Sequence, residues 1–172
     1  ENFTEHTIST AGDEPFGLFV ADVDLDGDLD VVVASNEDDK IAWHENDGSQ
    51  NFSENVVSTN AVHALDVLAI DIDGDGDVDI LSASRNKVAW YENDGDQNFA
   101  AHTIATDGKP RSVSAVDLDG DGDVDVLYPT TESRLLIWLE NDGSNSFSRH
   151  VADRLDEHSY YQLLSFDLDG DG

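Results

Sequence analysis

The sequence contains no cysteine and no methionine, and it carries only eight lysine or arginine residues against 39 aspartate or glutamate residues. Without cysteine there are no disulfides, no thiolate nucleophile and no Cys-based zinc or iron–sulfur site, and cysteine usage says nothing about redox compartment. The shortage of basic residues leaves a formal net charge of −31. That charge excludes a nucleic-acid or anionic-membrane binder acting through bulk electrostatics, because both partners are polyanions. No apolar run approaches the roughly 18 residues of a membrane-spanning helix, and no signal peptide is visible. A chain that begins at Glu1 and holds no methionine is expected to be a processed or excised piece, so the missing leader says nothing about export.

What is present argues for a folded chain. The apolar fraction is 38%, including Trp43, Trp90 and Trp138, and 172 residues suffice for one ordinary domain. The sequence repeats. An Asp-rich run reads DVDLDGDLD from Asp22, DIDGDGDVD from Asp71 and DLDGDGDVD from Asp117, and a fourth, DLDGDG from Asp167, reaches the last residue. An aromatic and turn run reads WHENDG from Trp43, WYENDG from Trp90 and WLENDG from Trp138. A third reads FTEHTI from Phe3, FSENVV from Phe52, FAAHTI from Phe99 and FSRHVA from Phe147. All three advance by about 48 residues, which marks one structural unit used repeatedly.

Within a unit the periodicity is that of strands. Gly17 to Ala21 and Asp66 to Ile70 are short apolar runs suited to a strand buried on both faces (strand A). Leu29 to Ala34 and Val78 to Ala83 follow the Asp runs (strand B). Lys40 to Glu45 precedes the Asn-Asp-Gly turn (strand C), and Phe52 to Ser58, polar at alternate positions, suits an outer strand D. Four short strands every 48 residues with no helical stretch between them predict an all-β chain of antiparallel β-propeller blades. The expected division is an outer strand of a preceding blade at 1–10, complete blades at 11–59, 60–106 and 107–152, and the first strand and truncated loop of a fourth blade at 153–172.

The order of strand, D-x-D-x-D-G-D-x-D loop, strand, aromatic strand, Asn-Asp-Gly turn and Phe-led strand resembles the VCBS and FG-GAP-like repeats, the unit of the calcium-carrying propeller of integrin α chains. The resemblance covers nearly the whole sequence and implies calcium in the loops between strands A and B.

The residues support the same chemistry. Calcium takes six to eight oxygen ligands, and alternating aspartates on a tightly wound loop converge their carboxylates while the intervening residues face elsewhere. A glycine at position 6 (Gly27, Gly76, Gly122) permits the positive φ that such a loop needs. Positions 1, 3, 5 and 9 are the expected side-chain ligands: Asp22, Asp24, Asp26 and Asp30; Asp71, Asp73, Asp75 and Asp79; Asp117, Asp119, Asp121 and Asp125. Position 7 (Asp28, Asp77, Asp123) is expected to offer its backbone carbonyl. Asp167, Asp169 and Asp171 form a fourth site only if the chain continues. Four carboxylates about 4 to 5 Å apart repel by roughly 20 kcal/mol before relaxation and screening at an effective dielectric near 20, which a bound cation would relieve. Magnesium prefers fewer protein ligands and retained waters. An EF-hand is excluded by strands flanking the loops and by Val33, Ser82 and Tyr128 at position 12.

Other recurring residues read as structural. Trp43, Trp90 and Trp138 share one repeat position and are expected between blades, and His6, His102 and His150 share a register in strand D, where they could not meet at one metal. Asn2 and Asn51 begin glycosylation sequons that fall on the repeat consensus. In a propeller the Asp runs lie on one face, and the B-to-C and D-to-A loops lie on the other. Six of the eight basic residues, Lys40, Arg85, Lys87, Lys109, Arg111 and Arg134, fall on or beside that second face. Arg85, Arg111 and Arg134, with His63 and Tyr160 nearby, are candidates to hold an anionic protein or carbohydrate ligand.

The expected function is an extracellular or cell-surface, calcium-stabilised propeller module acting in ligand binding, adhesion or extracellular assembly, not an enzyme. The alternative is a propeller part of a secreted polysaccharide-degrading enzyme. No nucleic acid and no membrane insertion is expected. Unpaired blade edges imply continuation in a longer chain or self-assembly.

Overall fold

A computed structural model describes residues 3–10 and 12–155. Twelve strands form three antiparallel sheets of four, each in sequential order. The first sheet holds β1 (Pro15–Ala21), β2 (Asp30–Ser35), β3 (Lys40–Asn46) and β4 (Phe52–Ser58). The second holds β5 (Ala64–Ile70), β6 (Asp79–Ser84), β7 (Lys87–Asn93) and β8 (Phe99–Ala105). The third holds β9 (Ser114–Val116), β10 (Asp125–Thr130), β11 (Leu135–Asn141) and β12 (Phe147–Arg154). The 48-residue unit is therefore one four-stranded β-propeller blade, and the described residues contain no helix.

Strand alternation produces the packing between blades. Along β6, every residue is buried, because odd and even side chains serve two different interfaces. Ile80, with Ala89 and Tyr91 of β7, packs against Val32, Ala34, Ile41 and Trp43 of the first blade. Leu81 and Ala83, with Val88 and Trp90, pack against Val126, Tyr128, Ile137 and Leu139 of the third. Trp43 and Trp90 thus sit between blades, as their shared repeat position implied. The leading face of the first blade has no such cover among the described residues: Leu18 and Val20 are 61% and 47% exposed, where their counterparts Val67 and Ala69 are 3% and 8%.

The inner strands come close enough to constrain the sequence. A Cβ added at Gly17 would stand 2.7 Å from Asp66 Cα and 2.9 Å from the Leu65 carbonyl oxygen, so only glycine allows β1 to lie this near β5. Asp66 ties the next pair of blades together, its Oδ2 accepting the Val113 N–H at 3.0 Å.

Residues 3–10 depart from the expected outer strand at 1–10: they are exposed and form no strand. In the third blade β9 is only three residues long, and Pro110, which lacks an N–H, makes only an isolated bridge to Thr130. Most of the fourth unit, including strand A from Tyr160 to Asp167 and its Asp run, lies outside the described residues.

Candidate metal centres

Each Asp run is the turn between the first two strands of its blade, wound by left-handed residues at positions 4 and 6. Gly27, Gly76 and Gly122 have φ near 97 to 99°, the conformation expected for position 6. Position 4 is also left-handed, at φ 74° and 80° for Gly74 and Gly120. The winding brings three carboxylates of each loop together: Asp22, Asp24 and Asp30; Asp71, Asp73 and Asp79; Asp117, Asp119 and Asp125. In each group the ligating atoms lie within 4.8 Å of one another, so each triad could hold a metal ion.

The other acidic positions do different work. At position 5, the exposed Asp26, Asp75 and Asp121 each accept the N–H of position 7 at 2.9 to 3.0 Å, closing the loop on itself. At position 7, the Asp28, Asp77 and Asp123 side chains lie against Gly48, Gly95 and Gly143 of the Asn-Asp-Gly turns, where a Cβ would strike their carboxylates. Neither position joins a triad. Asp167, Asp169 and Asp171 lie outside the described residues.

Position 9 is both a triad member and a structural staple. Asp30, Asp79 and Asp125 are fully buried, and both oxygens of each accept backbone N–H groups. One oxygen takes position 2 of its own loop (Val23, Ile72, Leu118) at 3.0 to 3.1 Å. The other takes the asparagine that opens the following turn (Asn46, Asn93, Asn141) at 2.7 to 2.8 Å. That asparagine returns a side-chain bond to the position-8 carbonyl of Leu29, Val78 or Val124. Loop and turn are therefore locked together at the centre of each site.

Burial shapes the charge at these sites. Asp79 is pushed up to about 6, chiefly by desolvation, against the lowering effect of the Asn93 and Ile72 N–H groups. The Trp90 indole N–H also lowers it, although that N–H has no hydrogen-bond partner at ordinary length. Asp24 and Asp73 are raised by burial first and by neighbouring carboxylates second. Asp119 is raised by desolvation and then by Asp121. Among the charges acting on these three are Glu45, Glu92 and Glu140 of the W-x-E-N-D-G runs. Sequence reading missed these glutamates as neighbours of the sites, although their constant place two residues after the tryptophan was a signal. A divalent cation fits this environment: all donors are hard oxygens, and a cation would favour the ionised form of Asp24, Asp73, Asp79 and Asp119, which burial and neighbouring carboxylates oppose.

The first loop is the least complete. Position 4 is Leu25, at φ 61°, which a branched L-residue adopts only with strain. In the other loops the position-4 N–H bonds the position-1 Oδ1 at 2.8 Å. Asp22 Oδ1 is buried without any partner. Leu25→Gly is expected to raise stability by about 0.5–1 kcal/mol, since relieved backbone strain outweighs the added freedom of the unfolded chain. Urea unfolding in chelator would show it, and no gain would mean that the left-handed residue is not strained.

Two of the three recurring histidines, His102 and His150, sit on tryptophans, while His6 is exposed outside any strand. His102 stacks on Trp90 at 4.8 Å between ring centroids and meets Glu92 at 2.7 Å. His150 lies 4.9 Å from Trp138 and meets Glu140 at 2.6 Å. In the first blade Asn55 takes this place and bonds Glu45. These residues brace strand D against strand C on separate blades.

Four-stranded blades in series, each carrying an acidic A-to-B loop with a carboxylate triad, define a β-propeller repeat protein with candidate divalent-cation sites. The chain belongs to the FG-GAP-like repeat family, whose model matches residues 22–82 and 71–128. No curated protein matches it. Among solved structures it is similar to a lectin of Agrocybe aegerita, described for specific recognition of non-reducing terminal N-acetylglucosamine. The TM-score is 0.55 at 21% identity, over 80% of this chain and 38% of the lectin, so the chain spans well under half the length of that neighbour.

Proposed function

We propose that the protein is an extracellular, calcium-stabilised propeller module that binds a carbohydrate ligand without turning it over. The observation that carries the reading is the threefold recurrence of the triads at positions 1, 3 and 9, each built on a buried, doubly hydrogen-bonded aspartate. Calcium is the cation that best suits several carboxylates with additional backbone oxygens. Calcium at extracellular, millimolar levels would fill loops of modest affinity, and three ions would relieve part of the −31 charge. The similarity to a lectin supports a saccharide as the ligand class. Variable B-to-C and D-to-A loops, on the face opposite the triads, supply the side chains that would recognise it.

Isothermal titration of the purified chain with calcium should show three sites, with magnesium binding more weakly. Saturable glycan binding with no release of shortened product should follow in the calcium-loaded protein. Zero bound calcium, or cleavage of the glycan, would overturn the reading.

A further inference from the structure

On the face away from the triads a cleft of about 600 Å³ is shared by all three blades. Its walls include Phe16 and Glu37 from the first blade, His63 and Arg85 from the second, and Lys109 and Arg111 from the third. Three of the eight lysine and arginine residues in a chain of net charge −31 therefore line one cavity. Chance placement of surface charge does not favour this, since like charges raise each other's energy and 39 carboxylates offer partners elsewhere.

Among the described residues that line the cleft, the basic side chains outnumber the acidic ones. Glu132 pairs with Lys109, and Glu37 is the one acidic residue among the described residues of the lining. Arg85 is exposed and makes no ion pair among the described residues. His63 is held in place by Asn36, 3.3 Å from its Nδ1, and by its own N–H to Asp39 at 2.7 Å. Phe16 is 67% exposed and presents an aromatic ring beside these cations. A guanidinium that can grip an oxyanion in two places, next to an uncovered aromatic ring, suits a sugar ring carrying a negative group. The size falls within the usual span for small-ligand sites, about 300–1,000 Å³.

We infer that this cleft is a binding site for an acidic saccharide, its carboxylate or sulfate held by Arg85 with Lys109 and Arg111, and its ring covering Phe16. The inference rests on the reading of the protein as a carbohydrate-binding module and narrows the ligand to an anionic one. Arg134, grouped with these residues on sequence grounds, does not line the cleft, and Tyr160 lies outside the described residues.

The test is calorimetric titration of the calcium-loaded full chain with a galacturonate trimer, a sulfated disaccharide, neutral chitotriose and a glutamate hexapeptide. One or both acidic sugars should bind at least tenfold more tightly than chitotriose, with affinity falling as salt is raised. Whether the uronate or the sulfated sugar binds better identifies the group recognised. Arg85→Ala should cost tenfold or more, Phe16→Ala several-fold, and Glu37→Gln should tighten binding. Chitotriose binding alone would overturn the acidic assignment and leave the carbohydrate module standing. Peptide binding equal to the acidic sugars would overturn the saccharide assignment. Acidic-sugar binding unchanged by Arg85→Ala and Phe16→Ala in variants that melt like the parent would remove the cleft as the site.

Discussion

Saturating calcium is expected to raise the thermal unfolding midpoint by 15 °C or more relative to chelator-treated protein. A ligand that binds only the folded chain at 100 times its Kd contributes about 2.7 kcal/mol, so three such sites together contribute about 8 kcal/mol. For a domain of this length each kcal/mol moves the midpoint by about 2–4 °C. The size of the effect follows from how the triads are built. One ligand oxygen from each carboxylate of a triad lies within 4.8 Å of the others, so a bound cation would relieve repulsion that this arrangement otherwise carries. Scanning calorimetry in calcium and in chelator checks this, and an unchanged midpoint would rule out the assignment.

The calcium effect should also depend on pH in a defined direction. Asp79 has a folded value of about 6, against 3.8 for an ordinary aspartate. In chelator the folded state therefore holds this proton more tightly than the unfolded state does. The contribution of Asp79 to stability falls as pH rises from about 4 to about 6. With calcium the order reverses, because the cation needs the ionised carboxylate and competes with the proton. The calcium-induced shift should therefore shrink as pH is lowered from 7 to 5.

The architecture was legible in the sequence because three periodic signals coincide. The Asp run, the W-x-E-N-D-G run and the Phe-led strand each recur at the same interval, and each fixes a different part of one blade. The convergence at positions 1, 3 and 9 was legible for the same reason. The uses of positions 5 and 7 were not. Alternation puts position 5 with positions 1, 3 and 9 as a side-chain ligand and leaves position 7 only its backbone carbonyl, whereas the loop turns the position-7 side chain toward a glycine two strands away and uses the position-5 carboxylate on a local backbone N–H. That division depends on how the A-to-B loop meets the C-to-D turn, a contact between segments about 20 residues apart that no local pattern encodes. The basic face was visible as charge in particular loops. Its concentration into one cleft required three blades to be placed side by side, which brought in Phe16, Asn36 and Glu37 and left Arg134 out.

Replacing position 9 is expected to be far more damaging than replacing position 5, even without metal. Asp79→Ala removes the acceptor of two backbone N–H groups, Ile72 at 3.1 Å and Asn93 at 2.7 Å, from a site with no access to water. Each stranded buried donor costs about 1–3 kcal/mol, so the loss in chelator should be about 2–5 kcal/mol. Relief of the buried charge offsets part of that, since burial raises Asp79. Asp75→Ala removes one hydrogen bond at an exposed position, to the Asp77 N–H at 2.9 Å, and should cost about 1 kcal/mol or less. Asp79→Asn keeps one oxygen acceptor and should fall between the two in chelator while still losing much of the calcium response at that loop, because a neutral amide replaces a carboxylate in the triad. Urea unfolding of the three variants, each with and without calcium, separates the staple from the ligand. Equal losses for Asp79→Ala and Asp75→Ala in chelator would show that the loop does not depend on the buried carboxylate. A full calcium response in Asp79→Asn would show that the cation is held without it.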